Sequence, residues 1–299
     1  MQQTMFDVPS IKRAEFAVYH DESGVDRGKD RFLLQGVLFV PISKWKLHLE
    51  SLTRARDGYT GRVHFSDLRD KTTSKKGEVA RRWLNSYFST ISADCPYKCM
   101  LADTYSKHSQ VTRFTKDFQL YNYTTVLAIH GGISWSLINF EKVGIRIYSE
   151  ETSRSRDDNF ETYVPSQVHV RVNTQRRAGS KTPLLDSPPL PIKLIPGDPG
   201  RVRKEDLGHC QFIQLTDLLT GAVNEAVNAR AIQQIKLDLG SFVASWIKDT
   251  RLPPWAQSRA LHRQFSISCF PDSIGGFFDV PLTISTKVQL GLGLDTSGA

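Results

Sequence analysis

The chain has 299 residues, 39% hydrophobic and 23% charged. It is long enough to bury a core without covalent or metal staples, and its composition excludes wholesale disorder, collagen-like repeats and coiled coils. Lysine and arginine number 39 against 31 aspartates and glutamates, giving a net charge of +8 and a pI near 9.3. That balance suits a polyanion such as nucleic acid, but it speaks to association rather than to fold.

Four cysteines, Cys95, Cys99, Cys210 and Cys269, are too few for a disulfide scaffold. Cys95 and Cys99 lack a second pair at zinc-ribbon spacing, so free thiols in a reducing cytoplasm are expected. Residues 1–14 carry no apolar run of signal-peptide length. The longest uncharged stretch, 118–140, contains Gln119, Asn122, His130 and the pair Gly131-Gly132. A membrane span needs about 20 mostly apolar residues, so this stretch reads as a buried helix in a soluble, intracellular protein with no membrane partner.

In chain order, Phe16 to His20 and Phe32 to Val40 are apolar runs bounded by Gly, Asp and Lys, the pattern of an antiparallel hairpin with a long loop. Pro41 ends the second strand, and Ile42 to Ala55 has helical spacing at Trp45, Leu49 and Leu52. A mixed basic segment holds His64-Phe65-Ser66-Asp67-Leu68. Lys75 to Ile91 predicts a helix through Val79, Trp83 and Tyr87, and Tyr97 to Tyr105 a strand after Pro96. Val111 to Phe140 predicts one long helix, or two joined at Gly131-Gly132. Val143 to Ser149 alternates as a strand. Gln175 to Pro191 is rich in Arg, Gly, Ser and Pro and predicts an exposed, flexible insertion. Ile192 to Ile195 is a short strand, and Gln211 to Ala229 an apolar-faced helix. Phe242 to Ile247 lies in another helix that Pro253-Pro254 closes, and 291–299 is expected to fray.

This order predicts an α/β class: a mixed central sheet with flanking helices. Residues 1–14 are an N-terminal extension and 15–230 the main domain, with a helical insertion around 42–95 and a flexible loop around 174–191. Residues 231–299 form a helical and β extension packed on the same domain.

Three acidic groups stand where a scaffold could aim them. Asp21 and Glu22 follow the first strand in Tyr19-His20-Asp21-Glu22-Ser23-Gly24, a sequence that also suits an ordinary turn. Glu150 and Glu151 end the strand that begins at Val143. Asp217 lies inside the apolar helix, sharing a face with Gln214 and Gly221. It is either an ordinary solvent-facing position or a carboxylate aimed into a cleft that the glycine lets another element approach. Magnesium is held by a few carboxylates plus substrate phosphates, and a pair of ions about 3.5–4 Å apart can cleave phosphodiesters. Walker, dinucleotide, HExxH and GxSxG motifs are all absent.

Those blocks resemble the DUF3800 family. Tyr19-His20-Asp21-Glu22-Ser23-Gly24 looks like its N-terminal motif, and Gln214-Leu215-Thr216-Asp217-Leu218-Leu219-Thr220-Gly221 like its C-terminal helix. Val63-His64-Phe65-Ser66-Asp67-Leu68 is similar to a looser block between them, and the likeness covers roughly Phe16 to Ala229. The resemblance implies a ribonuclease H-like fold and a metal-dependent nuclease cleaving DNA or RNA with Mg2+ or Mn2+. It also implies a protein partner in a mobile-element or defence system. By the same likeness Asp21 and Asp217 are metal ligands, and the strand ending at Ser149 supplies another acid. Ser149 itself stands where that acid is expected, so Glu150 or Glu151 takes the role, and Arg62 replaces an acid ahead of the histidine block. Glu22 joins the catalytic candidates, with Ser23 and Gln214 supporting. His64 is either a packed histidine or a proton-transfer and phosphate-positioning group. Arg171, Arg176, Arg177, Lys181, Arg201, Arg203 and Lys204 form either a solvated basic surface or a phosphate-contacting rim.

Overall fold

The computed structural model describes residues 12–24, 30–70, 74–107, 109–152, 157–250 and 263–271. Its centre is a seven-stranded sheet of β1 (Arg13–Ser23), β2 (Phe32–Pro41), β3 (Tyr97–Asp103), β4 (Lys142–Glu150), β5 (Leu184–Leu185), β6 (Lys193–Ile195) and β7 (Phe265–Phe270). The order is β5-β4-β1-β2-β3-β7, with β6 also on β4. β1, β2 and β3 pair antiparallel in sequence, whereas β4 lies parallel to β1, and β5 and β6 parallel to β4. The predicted hairpin and the return of Val143 to Ser149 beside the first strand are both present, and the fold is a mixed α/β sheet with flanking helices.

Both faces are covered, which is why β1 and β2 read as near-continuous apolar runs. On one face Ala17, Tyr19, Leu34 and Leu38 pack under α1 (Trp45–Ala55), α2 (Lys75–Ser89), α6 (Leu207–Asn228) and α7 (Gln234–Thr250). On the other, Phe16, Val18, Val37 and Phe39 pack under α4 (Asp117–Ser136) and α5 (Phe160–Arg177). The helical insertion predicted between β2 and β3 is α1 and α2.

Four differences from the sequence reading have physical causes. The long central helix breaks not at Gly131-Gly132 but earlier, between a short α3 (Ser109–Thr112) and α4. Gly132 is needed inside α4 because a Cβ there would overlap the Phe39 ring. The sequence reading assigned no element to α5, which carries Pro165 and a weak apolar stripe. The segment 174–191 is not a free insertion. Its first residues finish α5, Thr182 and Leu185 are buried, and Leu184–Leu185 pairs with the start of β4. β7 adds an unforeseen strand parallel to β3. Pro253-Pro254 and the tail 291–299 lie outside the described residues. All four cysteines are free and buried. No helix among the described residues is long and apolar enough to cross a membrane.

α6 comes close to the sheet at Gly36, where a Cβ would overlap Thr220 Oγ1 and stand 2.6 Å from Tyr97 Oη. Gly36→Ala should therefore lower unfolding free energy by about 1–3 kcal/mol, as overpacking does. Urea denaturation is the check, and an unchanged midpoint would contradict this packing.

Candidate active site

Alternation along β1 sends Ala17, Tyr19 and Asp21 to the α6 face, and Phe16, Val18, His20 and Glu22 to the α4 face. Beside β1, parallel β4 ends at Glu150, and α6 carries Asp217 across the same end. All three carboxylates are buried: Asp21 is 4% exposed, Glu150 8% and Asp217 5%. The segment between α1 and α2 closes over them. Phe65 N–H donates to Asp217 Oδ2 at 2.6 Å. His64 Nε2 stands 3.1 Å from Asp217 Oδ1 and 3.5 Å from Glu150 Oε2. Arg62 Nη2 donates to Glu150 Oε1 at 2.7 Å. Ser66 N–H donates to His64 Nδ1 at 3.2 Å, so the neutral ring keeps its proton on Nε2, facing the two carboxylates.

Two residues of α6 set this geometry. A Cβ on Gly221 would overlap the Phe65 ring, so the glycine admits the histidine segment against the helix. Gln214 stitches three segments: its Oε1 accepts from Arg56 Nη2 at 2.6 Å and Val63 N–H at 3.3 Å, and its Nε2 donates to Gly197 O at 2.8 Å. Arg56 in turn donates to Gly61 O at 2.9 Å and lies 4.7 Å from the Trp83 ring centroid. Gly197 lies so close to Glu150 that a Cβ would overlap Oε1.

Burial, followed by the charges of Asp217, Glu22 and Glu150, pushes the Asp21 carboxyl well above its ordinary range. Burial raises Asp217 to about 6, although His64 and the Phe65 N–H pull it down. Glu150 is held below its usual value: burial acts upward, but His64 and Arg62 outweigh it. For His64, burial favours the neutral ring, yet Asp217 and Glu150 prevail and raise its pKa. Asp21 Oδ2 is buried with no hydrogen-bond partner among the described residues. An unpaired buried acceptor is costly, and this one lies among like charges.

The structure thus brings Asp21, His64, Glu150 and Asp217 together, and Gln214 supports them. It sends Glu22 to the opposite face, where Tyr121 Oη donates to Glu22 Oε2. Ser149, at the position where the family acid was expected, also turns to that face and bonds His20 Nδ1 at 2.9 Å. Glu150 therefore occupies the α6 face, and Glu151 turns outward to Arg201 at 3.5 Å. Strand alternation separates both acidic pairs, so neither Glu22 nor Glu151 belongs to the cluster. Ser23 ends β1 opposite Leu34.

The basic residues divide in two. Arg201, Arg203 and Lys204 are exposed and follow β6, whose Ile195 pairs with Glu150. Arg176, Arg177 and Lys181 lie near β5, which pairs with Val143 at the far end of β4. Seven strand residues, about 23 Å, separate the two ends. Arg171 lies on α5, over the Tyr123 ring. Sequence reasoning missed Arg62, treated only as a lost acid, and Arg56. Both act through contacts 88 to 158 residues away, which no local pattern reveals.

Carboxylate oxygens are the donor type that magnesium and manganese take, and Asp21 Oδ2 has no hydrogen-bond partner among the described residues. Among the described residues no group of three or more His, Cys, Asp or Glu is already arranged to hold a metal ion. His64 and Arg62 instead occupy oxygens of Asp217 and Glu150. No protein-family model matches the chain, and no curated protein matches it.

The linkage has a definite sign. Asp21 and Asp217 bind protons more tightly in the folded state, so their contribution is present at low pH and lost as pH rises through their folded values, about 6 for Asp217. His64, also raised, loses its contribution as pH rises through its folded value. Glu150, lowered, contributes above the usual carboxylate range and loses that contribution only as pH falls through its folded value. Metal-free protein should therefore melt higher at pH 5 than at pH 7.5, and Asp21→Asn should flatten that difference. Scanning calorimetry at the two pH values is the check, and an equal slope in the variant would show that Asp21 is not the strained group.

Proposed function

We propose that the chain is a divalent-metal-dependent nuclease that hydrolyses phosphodiester bonds of DNA or RNA. The observation that carries this reading is the unsatisfied Asp21 Oδ2, buried beside Asp217 and Glu150 with no cation of its own among the described residues. The motif likeness to DUF3800 proteins supports it, since the blocks quoted for that likeness contribute Asp21, His64 and Asp217. Asp21 and Asp217, with Glu150, would hold Mg2+ or Mn2+, which supplies a polarised phosphoryl oxygen and a water acidic enough to attack at neutral pH. The chain's own residues do the rest. His64 Nε2 holds a proton between Asp217 and Glu150, within reach of a group entering the cluster. Arg62 fixes Glu150. Arg201, Arg203 and Lys204 offer phosphate contacts on the same side.

A second reading rests on the His64 and Arg62 contacts: a catalytically degenerate ribonuclease H-like module that binds nucleic acid, or a protein partner in a defence complex. Its support is that Glu150 and Asp217 already have cationic partners within the chain.

A mixed panel of single- and double-stranded DNA and RNA with Mg2+ or Mn2+ separates the two. Wild type should cleave at least one substrate. Asp21→Asn and Asp217→Asn should each reduce cleavage to background, while the metal-free variants melt at or above wild type because like-charge repulsion is relieved. Wild type should also show a metal-dependent rise in melting temperature that both variants lose. Cleavage retained in both variants places the chemistry elsewhere. No cleavage and no metal-dependent shift favours the degenerate module.

The two basic groups separate in binding. Charge reversal at Arg201, Arg203 and Lys204 should weaken nucleic-acid affinity and flatten its salt dependence. The same change at Arg176, Arg177 and Lys181 should leave both within error. Anisotropy titrations across salt concentration measure this, and the opposite ranking would move the interface to the far end of the sheet.

A further inference from the structure

The segment that carries His64 runs alongside α6. Val63 N–H bonds Gln214, Phe65 N–H bonds Asp217, and the Phe65 ring lies against Gly221. The segment thus advances over seven residues of α6, about 10 Å, toward the C-terminal end of the helix, and His64 stands midway. On the Gln214 side lie Gly197 and the exposed Arg201, Arg203 and Lys204, which lead into the start of α6. On the Gly221 side lie two further cations, Arg69 and Lys236.

These two cations are placed at a cost. Arg69 Nη1 and Lys236 Nζ donate to the same carbonyl, Ser66 O, at 2.7 and 3.1 Å, so two like charges converge on one oxygen. Neither has a carboxylate within ion-pair distance among the described residues. Asp67 is taken by Lys76 at 3.4 Å and Arg62 at 3.9 Å. Lys236 also lies in the first turn of α7, the positive end of a helix, where a cation is disfavoured. Burial and Arg69 hold its ammonium below the usual lysine range, although Glu225, Asp67 and Asp217 pull upward. A neutral donor would tie down Ser66 O without this repulsion. Phe65 keeps the charge in place: Lys236 Nζ stands 5.5 Å from its ring centroid. The same residue therefore touches the carboxylate cluster through its N–H and Lys236 through its ring. Arg69 is exposed and Lys236 half-buried, so both are open to a ligand from solvent.

We propose that Arg69 and Lys236 hold a backbone phosphate of a nucleic-acid strand that passes Arg201, Arg203 and Lys204 and crosses His64, so that the chain engages a strand internally rather than at an end. The donors for it are present: Lys236 uses one of its three N–H groups and Arg69 two of its five on Ser66 O and Leu68 O. An anion between the two cations removes their repulsion. Cations on one side of the acids would suit a strand terminus, whereas cations on both sides suit a strand that continues in both directions. The inference rests on the nuclease reading for what happens at the acids and adds where the strand runs. It is tested without metal or turnover, so the two can fail separately.

The test uses the full chain in EDTA and a fluorescein-labelled single strand of about 12 nucleotides, as DNA and as RNA, followed by anisotropy across salt concentration. Arg69→Gln combined with Lys236→Gln should weaken binding at least about tenfold and lower the salt slope by about 1.4, the counterion release of two single-strand phosphate contacts. Arg69→Lys combined with Lys236→Arg should restore most of both. Unchanged affinity and slope in a Gln pair that melts as wild type does overturns the proposal and leaves the two cations a purely structural role. A closed circular single strand should displace the labelled strand as well, per nucleotide, as a linear one. Displacement by the linear strand alone means entry by an end and overturns the crossing. Inorganic phosphate or AMP displacing the label at the strand's own concentrations assigns the pair to free phosphate and overturns it too. Should the Gln pair fail to fold, Lys236→Met, which keeps an apolar stem over Phe65, carries the same comparison with half the change in slope. Strand and circle bound as expected, with no cleavage when Mg2+ is added, would count against the nuclease reading alone.

Discussion

The molecule is organised around a repulsion. Three carboxylates from β1, β4 and α6 are buried at one end of one sheet face, where each is expensive without compensation. Glu150 has Arg62 and His64, and Asp217 has His64 and the Phe65 N–H. Among the described residues Asp21 receives neither a cation nor a partner for Oδ2. Natural cores seldom tolerate such a residue unless something outside the apo chain uses it.

Holding the carboxylates together requires the backbone to come close, and the close contacts are where glycine stands. Gly36 lets α6 settle against β2 opposite Asp21, Gly221 admits the ring of Phe65, and Gly197 lies on Glu150. Gln214 then ties α6 to the segments before His64 and after β6 through both ends of its amide. The histidine segment is irregular and has little helix or strand of its own. Its position is fixed by these tertiary bonds, three of them made by Gln214, one turn before Asp217.

Where local rules decide structure, the sequence was legible. The hairpin, β4 and α6 follow from apolar runs and helical spacing, and the pairing of Gly221 with a close-approaching element follows from a helix face shared with Asp217. Period two alone separates Asp21 from Glu22 and Glu150 from Glu151. α5 was hidden because Pro165 interrupts it and its buried side chains, Phe160, Val164, Val168 and Val172, are diluted by polar neighbours. Arg62 and Arg56 acquire their roles only on folding. Arg176, Arg177 and Lys181 lie at the other end of β4 from Arg201, Arg203 and Lys204 for a related reason: strand direction, not proximity in sequence, decides which end of a sheet a loop occupies.

Charge counting links the acids to the cations around them. With all three carboxylates ionised, a state that burial resists at Asp21, protonated His64 and Arg62 offset two of them and leave one negative charge on Asp21. With His64 neutral the residue is two negative charges, the count that one divalent cation balances. A proton on His64 and a cation at Asp21 are therefore alternatives for the same electrostatic deficit, and each weakens the case for the other. In the proposed nuclease, the contact of His64 with both Asp217 and Glu150 would thus be the metal-free resting arrangement, with the proton standing in for part of the charge a metal would bring.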